Sequence, residues 1–248
     1  MKVILTGAGG RMGKEVINLI RSGNYEAELV ACVDPFGCEV EGVPCVKDIN
    51  EYSDGADVII DFSFHGLTSG ILDYAKKYQI PSMIATTGHT DEEMAYIKEC
   101  SKDVAVFKSG NMSLGVAVLA SLAQEAVKMF PTADIEIIEK HHNRKLDVPS
   151  GTALLLADRI KEVRENAVYN IGRHENGKRT IQEIGIHSIR MGNEVGTHEI
   201  IISTDNQVIT LKHESKNRAL FAEGALSAAE FLVKQGPGWY NMDDIVNG

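Results

Sequence analysis

The apolar run Lys2–Thr6 passes directly into Gly7-Ala8-Gly9-Gly10-Arg11-Met12-Gly13, and Met12, Val16, Leu19 and Ile20 then fall at helical spacing over Arg11–Arg21. Few local patterns constrain a fold more. A strand that must become a helix at once, through glycines, opens a parallel α/β sheet, with the turn at the carboxyl edge where such sheets bind ligands. In this setting Gly7 permits a tight turn and Gly10 lets the backbone approach a pyrophosphate. Gly13 lets the helix pack closely, and the diphosphate rests on the positive helix start. The spacing is GxxGxxG, because Met12 stands where GxGxxG has glycine. Taken alone, the pattern fits an ordinary strand–helix turn equally well.

The segments that follow keep the alternation going. Glu28–Asp34 is a second strand, and Asp57–Phe62 is an apolar run without alternation, as strands buried on both faces require. Leu67–Tyr78 is a helix and Ser82–Thr86 a strand. Thr90 and Glu93 form a capping box for a helix through Lys102, and Val104–Phe107 is another strand. This order predicts a parallel sheet with right-handed crossovers and helices on both faces. Beyond it lie a long helix over Leu114–Met129, a strand over Ala133–Lys140 and a helix from Gly151 to Val163. Three strand-like runs come next, Thr180–Arg190, Gly196–Ser203 and Val208–His213, the last two joined tightly at Asp205–Gln207 as in a hairpin. Asn217–Lys234 reads as a closing helix, and residues 164–179 as a polar mobile loop. Neighbouring strands after a βα half indicate a second, α+β domain, and 248 residues suffice for two at roughly 150 per domain.

Composition narrows the function. Hydrophobic residues are 44% and charged residues 24%, which excludes a disordered chain. Lys plus Arg is 25 against 35 Asp plus Glu, a formal charge of −10. Such a chain repels nucleic-acid phosphate, and an anionic ligand must be met by locally concentrated positive groups. The uncharged run Ser109–Gln124 is shorter than the ~20 apolar residues of a membrane span. The N-terminus enters the glycine turn without an apolar leader core, so a cytoplasmic protein without a membrane partner is expected. Cys32, Cys38, Cys45 and Cys100 form no CxxC pair and read as reduced, packed thiols.

Asp34 closes the second strand, at the distance where an acidic side chain grips ribose hydroxyls; the plain alternative is a turn residue before Pro35. Its carboxylate should repel a 2′-phosphate, and no Arg or Lys occurs in Pro35-Phe36-Gly37. NADH is therefore expected to serve at least as well as NADPH, with Arg11 or Lys14 responsible if it does not. Ala85-Thr86-Thr87-Gly88 and Ser109-Gly110-Asn111-Met112-Ser113 end two further strands, where small residues and hydroxyls suit the nicotinamide side. The densest basic segment is Lys140-His141-His142-Asn143-Arg144-Lys145, followed by Pro149-Ser150-Gly151-Thr152 at a helix start. Ser150 suits an N-cap, and the N–H groups around Gly151 and Thr152 suit a small carboxylate or phosphate. A solvated basic loop is the plain alternative, and adjacent histidines on a strand face opposite ways. No metal is expected, since there is no HExxH and no nearby Cys partner.

These motifs together, GAGGRMG, ATTG, SGNMSLGV and above all EKHHNRKLDVPSGTA, resemble the dihydrodipicolinate reductase family of lysine and diaminopimelate synthesis, and the resemblance runs in order over nearly the whole chain. The later HSIRMGNEVGTH, including Arg190, resembles the family as well. The resemblance implies an α/β protein: a Rossmann-type dinucleotide-binding domain over residues 1–112 with 216–248, and an α+β substrate and oligomerisation domain with a mixed sheet over residues 113–215. It implies NADH and/or NADPH as cofactor, a small cyclic dicarboxylate as substrate, hydride delivery to ring C4 and a homotetramer. His141 and Lys145 align with the proton donors, His142 with a substrate contact, and Gly151 and Thr152 with the pair holding a substrate carboxylate. Gly7, Ala8, Gly9, Gly10, Arg11, Met12 and Asp34 align with the cofactor loop and ribose acid. Ala85, Thr86, Thr87, Gly110, Asn111, Met112 and Ser113 align with further cofactor contacts. Gly110 and Ala85 are mild departures, and the chain is short between Asp34 and Asp57. Two other readings keep the glycine turn: another two-domain amino-acid dehydrogenase, which needs a different catalytic segment, and a non-catalytic NAD(H) sensor, which needs no His–Lys cluster.

Overall fold

The computed structural model describes residues 1–247, and the chain divides into two compact units, Met1–Leu114 with Arg218–Gly248 and Gly115–Asn217. In the first unit, β1 (Lys2–Thr6), α1 (Arg11–Arg21), β2 (Glu28–Val33), β3 (Cys45–Val46), β4 (Val58–Asp61), α2 (Thr68–Tyr78), β5 (Ser82–Ile84), α3 (Asp91–Cys100) and β6 (Ala105–Lys108) follow in order. The second unit holds α4 (Leu114–Met129, its first residue still in the first unit), β7 (Asp134–His141), α5 (Gly151–Lys161), β8 (Val168–Ile171), β9 (Glu183–Arg190), β10 (Thr197–Thr204) and β11 (Gln207–Glu214). The chain then returns to the first unit as α6 (Ala219–Leu232), β12 (Gly238–Tyr240) and α7 (Met242–Asn247).

The first unit is a parallel seven-stranded sheet in the order β12-β6-β5-β4-β1-β2-β3. Strand order reverses at β1, with β2 on one side and β4 on the other, which opens a crevice at the carboxyl ends. Buried Ile4, Ala31 and Ile59 pack under Ile71, Tyr74 and Ala75 of α2, and Ile84 and Val106 under Ile97 of α3. On the other face α1 packs beside α6, which also covers β4 and β5. The Thr90–Glu93 capping box forms as expected, with Thr90 Oγ1 accepting from Glu93 N–H at 3.2 Å.

The second unit is a mixed five-stranded sheet, β11-β10-β7-β9-β8. Ile135, Ile137, Ile184, Ile186, Ile200 and Ile202 pack on one face with Leu119 and Ala123 of α4 and Leu156 and Ile160 of α5. The hairpin of β10 and β11 turns on Asp205 and Asn206, between the paired Thr204 and Gln207. One expectation fails here: residues 164–179 are not wholly loop, because Val168–Ile171 pairs parallel to β9 as an edge strand. Its half-exposed residues give no two-residue apolar period to read.

Candidate active site

The glycine turn is fixed by its neighbours. Gly7 N–H donates to the Val33 carbonyl at 2.9 Å, and Gly10 caps α1 with extended backbone. Gly7 has φ +74°, and a Cβ there would collide with the Phe62 carbonyl; one at Gly13 would collide with the Gly7 carbonyl. Both positions therefore exclude side chains for reasons internal to the protein, leaving a cradle of backbone at the mouth of α1. Ala8 is buried, Gly9 half-buried, and Arg11 exposed as the first residue of the helix.

Asp34 is buried just past β2, with Oδ2 accepting from Gly9 N–H at 3.0 Å and Oδ1 from Phe36 N–H at 3.0 Å. It thus braces the turn. A cleft beside it is lined by Gly7, Val33, Pro35, Lys47, Ile49 and Ser63. A second pocket of the same unit is lined by Met12, Ser63, Ala85, Thr86, Thr87, Gly110, Asn111 and Met112. Below it, Thr6, Asp61, Ile84 and Lys108 share one row across four strands. Asp61 accepts from Thr6 Oγ1 at 2.5 Å and Ser63 N–H at 3.0 Å, and Lys108 Nζ donates to the Thr86 carbonyl at 2.9 Å. Burial lowers the Lys108 pKa, against the pull of Asp61. Ser113 is buried, its N–H donating to Asn111 Oδ1 at 2.9 Å.

In the second unit the core-facing row of β7 runs Ile135, Ile137, Glu139, His141, so the apolar row turns polar at its carboxyl end. Glu139 is fully buried. It accepts from both terminal Arg190 nitrogens at 2.8 Å and from Ser150 N–H at 3.1 Å, and lies 2.6 Å from His141 Nδ1. Burial alone would raise its pKa; the bonds from His141 and Arg190 prevail and hold it far below the usual carboxylate range. Arg190 stands beside His141 in register and also donates to the Asp147 carbonyl at 2.8 Å. His198 packs edge-on to His141, with ring centres 5.2 Å apart, and its Nε2 lies 3.1 Å from Ser150 Oγ. Burial first, and the neighbouring His141 second, push the His198 pKa down to about 3.

Ser150 caps α5, its Oγ accepting from Ala153 N–H at 3.2 Å. Gly151 opens the helix on an exposed side, where an added Cβ would meet nothing within 4 Å, and half-buried Thr152 follows. Lys145 Nζ pairs with Asp147 at 2.9 Å, and His142 is half-buried. The basic segment is less concentrated than its sequence suggests. Strand alternation sends Lys140 to the other face, where it pairs with Glu199 at 2.9 Å, and exposed Arg144 donates to Asn193 Oδ1 at 3.0 Å. The sequence-predicted cofactor residues thus gather in the first unit and the His–Lys set in the second.

Residues 1–112 match the family model "Dihydrodipicolinate reductase, N-terminus", and residues 115–246 match "Dihydrodipicolinate reductase, C-terminus". The chain belongs to the dihydrodipicolinate reductase family. It is 45% identical over 248 residues to the 4-hydroxy-tetrahydrodipicolinate reductase of Caldanaerobacter subterraneus subsp. tengcongensis, covering 99% of this chain and 98% of that one. It is 42% identical to the enzyme of the same name from Clostridium novyi, with the same coverage. The dipicolinate-bound dihydrodipicolinate reductase from Paenisporosarcina sp. TG-14 superposes with a TM-score of 0.84 at 27% identity, covering 99% of both chains. In this dihydrodipicolinate reductase family member the fold adds two groups, Glu139 and His198, that are not among the sequence-predicted site residues. Arg190 lies 51 residues from Glu139, and His198 lies far along the chain from both His141 and Ser150; only the Ile-x-Ile-x-Glu-x-His alternation in β7 hints that Glu139 faces the core. Among the described residues, no cluster of three or more His, Cys, Asp or Glu is arranged to hold a metal, and no helix is long and apolar enough to cross a membrane.

Proposed function

We propose that the protein reduces 4-hydroxy-tetrahydrodipicolinate, or the dihydrodipicolinate formed from it by loss of water, to tetrahydrodipicolinate in lysine and diaminopimelate synthesis, using NADH or NADPH. One observation carries this reading: the family match runs through both units, so the glycine turn and the HHNRK–PSGTA segment belong to one reductase chain rather than to a sensor. The dinucleotide fits the first unit because the side-chain-free cradle at Gly7–Gly13 leads to a buried acid on one side and to the Thr86–Asn111 pocket on the other. When bound, the reduced nicotinamide supplies hydride to ring C4.

The chain's own residues do the rest. Asp34 takes the adenosine ribose hydroxyls. Gly7 to Met12 form the pyrophosphate site: Gly7 to Gly10 shape the turn through their own internal hydrogen bonds, and the N–H groups of Arg11 and Met12 at the start of α1 receive the ligand. Ala85–Thr87 and Gly110–Ser113 hold the nicotinamide side. The substrate's two carboxylates are met by the opening of α5 at Gly151 and Thr152, with His142 and the cations of Lys145 and Arg190. Reduction adds a hydride and one proton; Lys145 stabilises the charge that builds on the ring, and that single proton is supplied by the His141 and Lys145 pair, with His141 as the exchanging donor/acceptor. The same reading includes a cytoplasmic homotetramer, assembled on second-unit strands that leave Ile189 and Val208 exposed.

The test is oxidation of NADH or NADPH by the purified protein with enzymatically generated substrate. The double variant His141→Gln, Lys145→Ala should lose turnover by at least ~10²–10⁴-fold while still binding NADH. Absence of turnover by the unaltered protein with both cofactors overturns the reading, and equal turnover in the double variant overturns the residue roles. Sedimentation checks the tetramer.

A further inference from the structure

Four donors converge on the Glu139 carboxylate, and they come from three separate pieces of chain. His141 Nδ1–H is on the last residue of β7, the Arg190 guanidinium on the last residue of β9, and Ser150 N–H on the cap of α5. These pieces carry the ring, the cation and the helix opening that the proposed reaction uses. We propose that Glu139 is the positioning residue of this site. Its single carboxylate fixes the tautomer and orientation of His141, holds Arg190 beside it, and pins the start of α5 to both. The inference rests on the reductase reading for the roles of those three pieces, but not for the geometry that joins them.

The tautomer follows from hydrogen-bond chemistry. An ionised carboxylate only accepts, and Arg190 and Ser150 N–H only donate, so His141 must present Nδ1–H to Glu139. The proton that His141 exchanges therefore sits on Nε2. A Cβ at residue 196 would stand 3.0 Å from that Nε2, so glycine there leaves space beside it. His198, on the flank of the ring, is kept neutral by burial and neither repels a proton on His141 nor competes with Glu139 for Nδ1–H. A fully buried carboxylate persists only when its lone pairs are met, and four donors meet them here. An acid that served packing alone would not need to bond both the ring and the cap of the anion-binding helix.

Three measurements decide it. In the unaltered protein, nitrogen-15 NMR of His141 at alkaline pH, where imidazoles are neutral, should show the proton on Nδ1; a proton on Nε2 overturns the proposal. Glu139→Gln, which turns an amide N–H toward donors, should lower kcat by ~10–100-fold, the loss typical when the group orienting a histidine is removed. It should also shift the His141 tautomer and leave the KM for NADH unchanged. Glu139→Asp, which keeps the charge but shortens the reach, should recover part of the kcat. A folded Glu139→Gln protein with unaltered kcat and tautomer overturns the proposal. Should Glu139→Gln not fold, the unaltered protein's tautomer and the partial kcat of Glu139→Asp decide in its place, an unimpaired Asp variant counting against positioning. A protein without reductase turnover sinks the reaction, whereas the NMR result still judges the geometry.

Discussion

At the mouth of α1 the groups offered to a ligand are backbone N–H groups, and the side chains that matter are absent ones: Gly7 and Gly13 have no room for a Cβ. At the carboxyl end of β7 the reverse holds, with Glu139, His141, Arg190 and His198 filling a buried space with charge and hydrogen bonds. The first arrangement suits a ligand whose diphosphate is the same in every dinucleotide, since backbone N–H groups need no titration and carry no alternative rotamers. The second suits a step in which a proton must be held on one nitrogen and released, which only side chains can do. Glycine itself changes meaning between them. Gly7 is required by the protein's own packing, whereas Gly151, with open space where a Cβ would stand, is free for a ligand to approach.

The largest expected effect breaks that contrast most directly. Gly7→Ala sets a Cβ against the Phe62 carbonyl at φ +74°, which should cost at least ~2–3 kcal/mol of stability and abolish NADH binding. Gly151→Ala should change stability by under ~0.5 kcal/mol while weakening dipicolinate binding by roughly ten-fold, since the methyl stands at the helix mouth. Urea unfolding and ligand titration read both variants. Similar destabilisation by the two would show that Gly151 also serves packing.

Acid should next separate the two regions. His198 titrates at about 3 in the folded protein against an ordinary value of 6.5. Between those values the unfolded chain binds a proton that the folded chain does not, so stability falls as pH falls through this window. One such group gives up to ~1.4 kcal/mol per pH unit, or roughly 2 kcal/mol between pH 6.5 and 5. Glu139, whose pKa is also depressed, adds a loss of the same sign only below its ordinary value of 4.5. Burial lowers His89 and His213 too, with the same sign. Hydrogen exchange, corrected for intrinsic rates, should therefore show β7 and β10 losing protection between pH 6.5 and 5 before β1 and β4 do. His198→Gln should flatten that loss, and a uniform loss across both units would break the comparison.

The two regions were also unequally legible. The glycine turn is legible because its constraint is local: seven consecutive residues set both the turn and the helix start, and no other residue type tolerates the Gly7 backbone. The parallel sheet was readable from unalternating runs such as Asp57–Phe62, and the Ser150 cap from its residue type. In β7 the strand reading stops at Lys140, one residue short of His141, and the partners that complete the core-facing pair lie 51 residues beyond Glu139 and 57 beyond His141, at Arg190 and His198. Register between distant strands is set by the whole sheet, not by either segment. Alternation along β7 sends Lys140 away from His141, which a count of basic residues cannot see. Strands β3 and β12, of two and three residues, are too short to show a period, and the edge strand β8 depends on β9 for its shape.

The smallest effect concerns Asp34, a charge at the cleft beside the glycine turn. Both Asp34 oxygens accept a backbone N–H, yet each retains a lone pair, so the acid that braces the turn keeps capacity for the ribose hydroxyls of the proposed cofactor. No cation occurs in Pro35-Phe36-Gly37 to balance it. In the fold, exposed Lys47, just beyond β3, lines the same cleft as Val33 and Pro35. A 2′-phosphate would meet repulsion from Asp34 and attraction from Lys47, which leaves the discrimination between cofactors small. Lys47→Ala should raise the KM for NADPH by about five-fold, near the ~1 kcal/mol upper range of an exposed ion pair, and leave NADH unchanged. Added salt should shrink that difference, since the Lys47 charge is open to solvent. Equal changes for the two cofactors would mean that Lys47 serves the cleft's shape rather than its charge, and that the first unit recognises its ligand through backbone and Asp34 alone.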